Sequence, residues 1–326
     1  DTESDSFFHY YEKVCLLQLA DAEGRAALVD PLSVRDLSAL GPLMADPAVE
    51  KIVHGGDNDI ALLKRDFGFS FASVFDTQTA ARFCGRTEFG LQALLESEFS
   101  VHHSKELQRC DWTRRPLSPA QEKYASDDVL HLRALAQRLR EELRGIGREA
   151  WAVEEGEALG RIGPAARRDG ADFLRAPGAR ELSLRDLAIV RELYKLREEW
   201  ARRADLPLFK IVGDETLVAM AVQHPKDGSD LVKVRGLGPR LRERQGSDFL
   251  AAIRRGEALP EDQLPVWPKT TRLRMTREAS RRVDLLKKWR AQAAPAAKLE
   301  IGFILPQRLI ERVAIDAPAS IEALAA

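Results

Sequence analysis

The chain has 326 residues, 44% of them hydrophobic and 31% charged, which is an ordinary globular composition with room for two or three domains. No apolar run approaches the ~18 residues of a membrane span, and no signal peptide is visible at the N-terminus as given. The three cysteines (Cys15, Cys84 and Cys110) are far apart and odd in number. They argue against a disulfide framework and against a cysteine metal site, and they fit a reducing cytoplasm.

The formal net charge of −1 hides an uneven distribution. Residues 1–150 contain 18 Lys and Arg and 25 Asp and Glu (18 − 25 = −7), whereas residues 151–326 contain 32 and 26 (32 − 26 = +6). Acidic clusters can hold cations and basic surfaces can hold phosphate backbones. Ordinary variation also produces imbalances of this size, so the charge alone leaves both interpretations open.

Residues 1–150 alternate between strand and helix patterns, which predicts a mixed α/β domain. A turn at residues 21–24 joins the first two predicted strands into a hairpin. Asp57 or Asn58 is expected to cap the first helix, which Gly68 ends. The predicted strands are 13–19, 25–30, 50–54 and 74–75; the later predicted helices are 77–84, capped by Asp76, 91–98, and one long helix from Ser118 to about Arg144.

The remainder of the chain is predicted to be helical. Residues 151–180 are expected to form a linker, because much of this segment is rich in Gly, Ala, Pro and Arg with weak periodicity. Ser183 with Asp186 three residues later is a helix-start pattern. Asp214 is expected to cap the next helix, and a last helix is expected at about 247–255.

A partial repeat follows. Residues 276–326 are similar to a second copy of the helical module, whose final helices are expected beyond the end of the chain. The predicted domains are the mixed α/β domain at 1–150, whose first strand is expected to precede Asp1, the linker at 151–180, a helical domain at 181–258, and a linker with an incomplete second helical domain at 259–326. The repeating residues are Val190, Leu193, Leu196-Arg197 and Ala201, which recur as Val283, Leu286, Trp289-Arg290 and Ala294.

Four carboxylates are candidates for one site. Asp1 and Glu3 on a strand share a face, and Asp59 lies at the start of a predicted helix. Tyr124 and Asp128 lie one helical turn apart. Four clustered carboxylates are unstable unless some are protonated or cations bind, and Mg²⁺ or Mn²⁺ prefers such oxygen ligands. Each signal taken singly has a simpler interpretation. Asp1 and Glu3 are a pair that occurs often by chance, Asp59 is a charge at a helix terminus, and Tyr124 with Asp128 forms a solvated helix face.

The surroundings of these residues resemble the tyrosine branch of the DEDD superfamily of 3′-5′ exonucleases. Asp1-Thr2-Glu3 is similar to the first motif, residues 51–60 to the second with Asp59 in the aspartate position, and Tyr124–Asp128 to the third. The histidine branch would need a histidine where Lys123 stands. The connecting stretches that are similar to the ribonuclease D family are 75–78, 80–82 and 111–117, so the resemblance covers nearly all of residues 1–140.

This resemblance implies an α/β ribonuclease H-like 3′-5′ exonuclease domain. Two all-α HRDC-type helical domains are implied after it, because a set of downstream residues resembles the first helix and exit of an HRDC domain and Trp289-Arg290 fits the same pattern in the second copy. The set is Leu196-Arg197-Glu198, Ala201, Asp205 and Pro207.

The resemblance to the exonucleases also implies two divalent metal ions, Mg²⁺ or Mn²⁺, about 3.5–4 Å apart. Asp1 would bridge both ions, and Glu3 and Asp128 would complete the first. Asp59 would act on the second ion through water, and Tyr124 would orient the attacking water or help to remove its proton.

Neighbouring residues have simpler interpretations. His54 and Trp112 are expected to pack near the site, and Asp76 is expected to cap a helix. Lys105 and Arg114 are candidates for contacting phosphates, although a position on a solvated face is the simpler interpretation of each. In the HRDC-type region the candidates for phosphate contact are Lys210, Lys233, Arg235, Arg240 and the backbone of Gly236–Gly238.

The resulting hypothesis is a metal-dependent 3′-5′ exoribonuclease that releases nucleoside 5′-monophosphates, in tRNA 3′ maturation or other RNA processing. Its expected partner is RNA with a free 3′ end, a tRNA precursor or another structured RNA, with no membrane. A 3′-5′ DNA exonuclease acting on single-stranded DNA is an alternative, because the site does not separate ribose from deoxyribose. An inactive nucleic-acid-binding scaffold is the other, against which the intact set of five site residues argues.

Overall fold

The computed structural model describes residues 1–102, 106–166, 170–268 and 275–325. The first sheet is antiparallel, with strand order β1-β2-β3, and the β2–β3 pair forms the predicted hairpin. Thr2 pairs with Leu17, which in turn pairs with Val29. Its strands are β1 (Thr2–Ser4), β2 (Val14–Ala20) and β3 (Ala26–Val29); helix α1 (Gly41–Ala45) follows.

The second sheet consists of two parallel strands, β4 (Lys51–Val53) and β5 (Val74–Asp76), joined by helix α2 (Asp57–Phe67). Parallel strands need such a crossover, and a helix supplies it here. Five further helices follow in chain order. These are α3 (Thr77–Phe83), α4 (Leu91–Phe99) and α5 (Pro119–Leu130), with α6 (Leu132–Gly145) and α7 (Glu149–Gly160) after them.

The prediction of one helix from Ser118 to Arg144 is wrong, because the chain breaks at His131 into α5 and α6. The two pieces contribute to different cores. Ala125 of α5 packs with Leu16 and Trp112, whereas Leu135 and Leu139 of α6 pack into the larger core around β5 and α3. The break therefore lies where the chain passes from one core to the other.

A cavity of about 870 Å³ lies between the two sheets, lined by β2, β4 and α6. Gln18 of β2 lines it, and both polar atoms of this buried side chain have no hydrogen-bond partner among the described residues. The cavity extends to Asp1 and Asp59, so it adjoins the candidate site.

Helix α7 occupies the start of the segment expected to be a linker, and it lies close under β5. An added Cβ at Gly156 would come 1.9 Å from the carbonyl oxygen of Val74. Helix α7 and strand β5 meet through their backbones here, so no change of side-chain rotamer can relieve the contact.

We expect Gly156→Ala to destabilise the protein by about 1–3 kcal/mol, because the extra methyl group forces α7 away from β5. Thermal melting of the two proteins measures the change. Gly145→Ala is the matched control, since nothing lies within 4 Å of its Cβ position. Equal melting temperatures for Gly156→Ala and the unsubstituted protein would contradict this close packing.

The next five helices form the first helical module, whose core includes Leu187, Leu193, Leu217 and Phe249. Ser183 caps its first helix, as predicted. Asp214 is not a cap, since α10 begins at that residue after Gly213, and the last helix begins at Pro239 instead of 247. The helices are α8 (Leu184–Ala204), α9 (Leu208–Ile211), α10 (Asp214–Gln223), α11 (Gly228–Val232) and α12 (Pro239–Ala258).

The last four helices form the second helical module. The first and last residue of each lie 93 positions after those of α8–α11, as 277 − 184 = 93 shows for the first helix. The buried contacts repeat too: Arg197 donates to the carbonyl of Val212 at 2.8 Å, and Arg290 donates to that of Leu305 at 2.7 Å. No helix in the described ranges is long and apolar enough to cross a membrane. The repeated helices are α13 (Arg277–Ala297), α14 (Ile301–Ile304), α15 (Gln307–Asp316) and α16 (Ile321–Ala325).

Candidate active site

Strand β1 positions the first two carboxylates. The backbone of Asp1 exchanges hydrogen bonds with Gln18, at 3.1 Å and 3.0 Å, which extends the β1–β2 pairing to Asp1. Glu3 pairs with Leu16 in the same ladder and is 9% exposed. Because alternate residues of a strand share a face, Asp1 and Glu3 point to the same side.

Helix α5 positions Tyr124 and Asp128 one turn apart. Ser118 begins this helix with a capping box that Gln121 completes, so its register is well determined. The ring of Trp112 is 1% exposed and lies 6.0 Å from the ring of Tyr124. This confirms that Trp112 packs near the site, where its ring lies against helix α5.

Helix α2 positions Asp59 in its first turn. The expectation that Asp57 or Asn58 caps this helix is wrong: both are exposed, and the cap position is Gly56. A Cβ at Gly56 would come 2.8 Å from the Val53 side chain, so the tight turn from β4 into α2 favours glycine. The hydroxyl of Thr2 donates to Asp59 at 2.6 Å and links α2 to β1.

The structure brings three of the four predicted carboxylates together. Oxygen atoms of Asp1, Glu3 and Asp128 all lie within 4.8 Å of one another. Asp59 lies outside this group but lines the same cleft, of about 350 Å³, together with Tyr124. All five predicted site residues therefore face one cleft.

The electrostatics of the cleft are those of crowded, buried acids. Burial first, and then the charges of Asp128 and Asp59, raise the pKa of Glu3 from 4.5 to about 9. Burial is also the main cause of the raised pKa of Asp59. Burial and the neighbouring Asp128 raise the pKa of Tyr124 well above its usual range. Oxygen-only donors that repel one another fit a hard divalent cation, which would relieve the repulsion.

Other residues line the cleft to which the sequence assigned no role in the reaction. Thr2 lies between two predicted ligands, and its hydroxyl is the only signal that could have drawn attention to it. Four polar side chains also line the cleft, and their motif positions carry no distinctive chemistry. These are His54, Gln78, Gln92 and Gln108.

The neighbouring residues mostly have structural contacts. His54 Nδ1 lies 2.9 Å from the hydroxyl of Thr77, in line with a packing role. Asp76 caps α3 by accepting from the backbone of Gln78 and Thr79, as predicted. Arg114 is exposed and pairs with Asp111 at 3.2 Å. Lys105 lies outside the described residues.

Comparison with known proteins gives two family matches. Residues 1–144 match the 3′-5′ exonuclease family, and residues 186–253 match the HRDC domain family. The chain is 35% identical to ribonuclease D of Granulibacter bethesdensis over 333 residues, which cover 99% of the chain and 82% of that protein. It is 31% identical to ribonuclease D of Escherichia coli over 266 residues, covering 81% and 70%.

The fold is also similar to solved structures. The crystal structure of Escherichia coli RNase D, described as an exoribonuclease involved in structured RNA processing, superposes with a TM-score of 0.72. That alignment has 28% sequence identity and covers 96% of this chain and 83% of the other. A protein from Bifidobacterium adolescentis, at 24% identity and a TM-score of 0.73, shares the fold over 99% of this chain and 83% of its own.

Proposed function

The chain belongs to the ribonuclease D family of 3′-5′ exoribonucleases, and from this we propose that Asp1, Glu3, Asp59, Tyr124 and Asp128 carry out its reaction. The observation that supports this assignment is the single cleft that all five residues line. The α/β ribonuclease H-like exonuclease domain is followed by an HRDC domain, as the sequence predicts. We assign the exonuclease domain to residues 1–150, a linker to 151–180, the first HRDC domain to 181–258, and a linker with an incomplete second HRDC-like domain to 259–326.

Exonucleases of the DEDD type use divalent metal ions, and the donor set of this cleft fits them. Two such ions, Mg²⁺ or Mn²⁺, would activate water and stabilise the leaving 3′ oxygen when bound. Asp1 would contribute to both, and Glu3 and Asp128 to the first. Asp59, held by Thr2 outside the group of three, would serve the second through water.

Tyr124 acts as a hydrogen-bond donor in this proposal. Burial and the charge of Asp128 raise the pKa of Tyr124 in the metal-free cleft, so the phenol carries its proton there. A protonated phenol can orient the attacking water. Once cations neutralise Asp128, Tyr124 would also be able to help remove the proton of that water.

The substrate is proposed to be the free 3′ end of an RNA, a tRNA precursor or another structured RNA, and the products are nucleoside 5′-monophosphates. Hydrolysis of a backbone ester needs no recognition of the base, so broad sequence tolerance is expected. Four exposed basic residues of the first helical module are proposed to contact phosphates. They are Lys210, Lys233, Arg235 and Arg240.

The test is cleavage of 3′-tailed RNA and of single-stranded DNA with the same sequence, each with Mg²⁺, Mn²⁺ or chelator. We expect stepwise shortening of the RNA from its 3′ end, which chelator and Asp59→Asn both abolish. Faster shortening of the DNA would favour a DNA exonuclease. Binding of both strands without cleavage would indicate a scaffold.

A further inference from the structure

The loop between β1 and β2, residues 5–13, joins the exonuclease domain to the first helical module. His9 Nδ1 lies 2.6 Å from a carboxylate oxygen of Asp205, and the backbone of Tyr10 donates to the same carboxylate at 3.1 Å. The hydroxyl of Tyr10 donates to Glu198 at 2.8 Å. These contacts determine where the loop meets helices α8 and α9.

Two aromatic rings meet on the open side of this junction. Phe7 of the loop and Phe209 of α9 pack edge to face, with their centroids 6.2 Å apart. Phe7 is 44% exposed and Phe209 is 57% exposed. The guanidinium of Arg109 lies 5.7 Å from the centre of the Phe7 ring.

Packing alone does not account for this pair. The comparable edge-to-face pair within the first helical module, Trp200 with Phe249, places Phe249 at 0% exposure. Phe7 and Phe209 instead leave large apolar areas in water, which is unfavourable unless a ligand covers them.

Positive charge accompanies the exposed rings. Lys210, next to Phe209, lies 4.6 Å from the ring centre of Phe8. Within the described ranges, neither Arg109 nor Lys210 takes part in an ion pair of 4 Å or less. The nearby acids are engaged by other partners: Asp5 pairs with Lys13, and Asp205 with His9. Arg109 and Lys210 are therefore available to phosphates.

Phe7 and Arg109 lie close in the chain to residues of the active-site cleft. Phe7 follows Glu3 by four residues, so their Cα atoms are at most ~14 Å apart. Gln108, the neighbour of Arg109 in the chain, lines the catalytic cleft. A strand that left the cleft over Gln108 would pass Arg109, whose guanidinium lies beside the Phe7 ring.

We propose that Phe7 and Phe209 form a stacking platform for the single-stranded RNA segment just upstream of the nucleotide being removed, with Arg109 and Lys210 contacting its phosphates. Aromatic rings beside basic residues bind single strands without sequence preference, because every base has a stacking face. The inference rests on the proposed function. A platform at the domain junction lies on the path of the bound RNA, so kcat/KM should depend on the length of the strand.

The test compares Phe209→Ala with the unsubstituted full chain on an oligoadenylate of a dozen or so nucleotides and on a diadenylate. We expect KM for the longer strand to rise about five- to tenfold with kcat unchanged, as the loss of stacking with one base predicts. KM for the diadenylate stays unchanged, because that substrate does not reach the platform. Phe209→Trp should restore the KM of the longer strand.

Trp289→Ala serves as the control, since Trp289 is a 52% exposed aromatic residue on the second helical module. An unchanged KM for Phe209→Ala, or an equal rise for both substrates or for Trp289→Ala, would overturn the platform. Fluorescence anisotropy of labelled oligoadenylate in chelator measures binding without cleavage. If the unsubstituted protein cleaves no RNA, the proposed function fails, and weaker binding by Phe209→Ala still supports the platform.

Discussion

Asp128→Asn is expected to lower kcat on RNA about a thousandfold, because the loss of several kcal/mol of transition-state stabilisation by metal corresponds to such a factor. Asparagine keeps the shape of the side chain but removes the carboxylate of Asp128, which lies within 4.8 Å of Asp1 and Glu3. The same change relieves repulsion, so the metal-free variant should melt at a higher temperature. Single-turnover kinetics and thermal melting in chelator measure the two effects.

Asp127→Asn is the matched control for this prediction. Asp127 is the adjacent residue of α5 and forms an ion pair with Lys123 at 2.5 Å, away from the carboxylate group. Its loss should leave kcat almost unchanged, since exposed ion pairs within one helix contribute little. If Asp127→Asn abolished activity and Asp128→Asn did not, the assignment of Asp128 would be wrong.

In the metal-free protein, the melting temperature is expected to fall as pH rises from 4.5, the ordinary pKa of glutamate, towards about 9, the raised pKa of Glu3. A carboxyl group whose pKa is higher in the folded than in the unfolded state binds more protons when folded. Its contribution to stability is therefore largest at low pH and is lost across this interval. Thermal melts in chelator over this pH range measure the slope.

Two variants separate the role of Glu3 from general effects of pH. Glu3→Gln should flatten the slope, because the amide does not ionise. Glu122→Gln, an exposed acid in the first turn of α5, should leave it unchanged. Added Mn²⁺ should raise the melting temperature most at high pH, since metal binding requires the deprotonated carboxylate. A melting temperature that rises with pH in chelator for the unsubstituted protein, but not for Glu3→Gln, would contradict the raised pKa.

Local features were predictable from the sequence because they depend on residues close together in the chain. The β2–β3 hairpin, the caps at Asp76 and Ser183, and the internal repeat all follow from such patterns. The order of the motifs also singled out five of the residues that line the cleft. No residue pattern by itself shows that these five side chains converge.

Contacts between distant segments decided the rest. The break at His131 separates helices that contribute to two different cores, and the position of α7 depends on how closely Gly156 approaches Val74. Periodicity within one segment contains no information about its partner, so neither feature could be predicted.

The sequence by itself determined the chemistry of this protein: its acidic residues, their order and the repeat of its helical module. Only the tertiary structure decided that Asp59 lies outside the group of three carboxylates, held by Thr2, and that Phe7 meets Phe209. The physical reason is that residue types are local properties, whereas distances between residues 2 and 59, or 7 and 209, depend on how all the intervening elements pack.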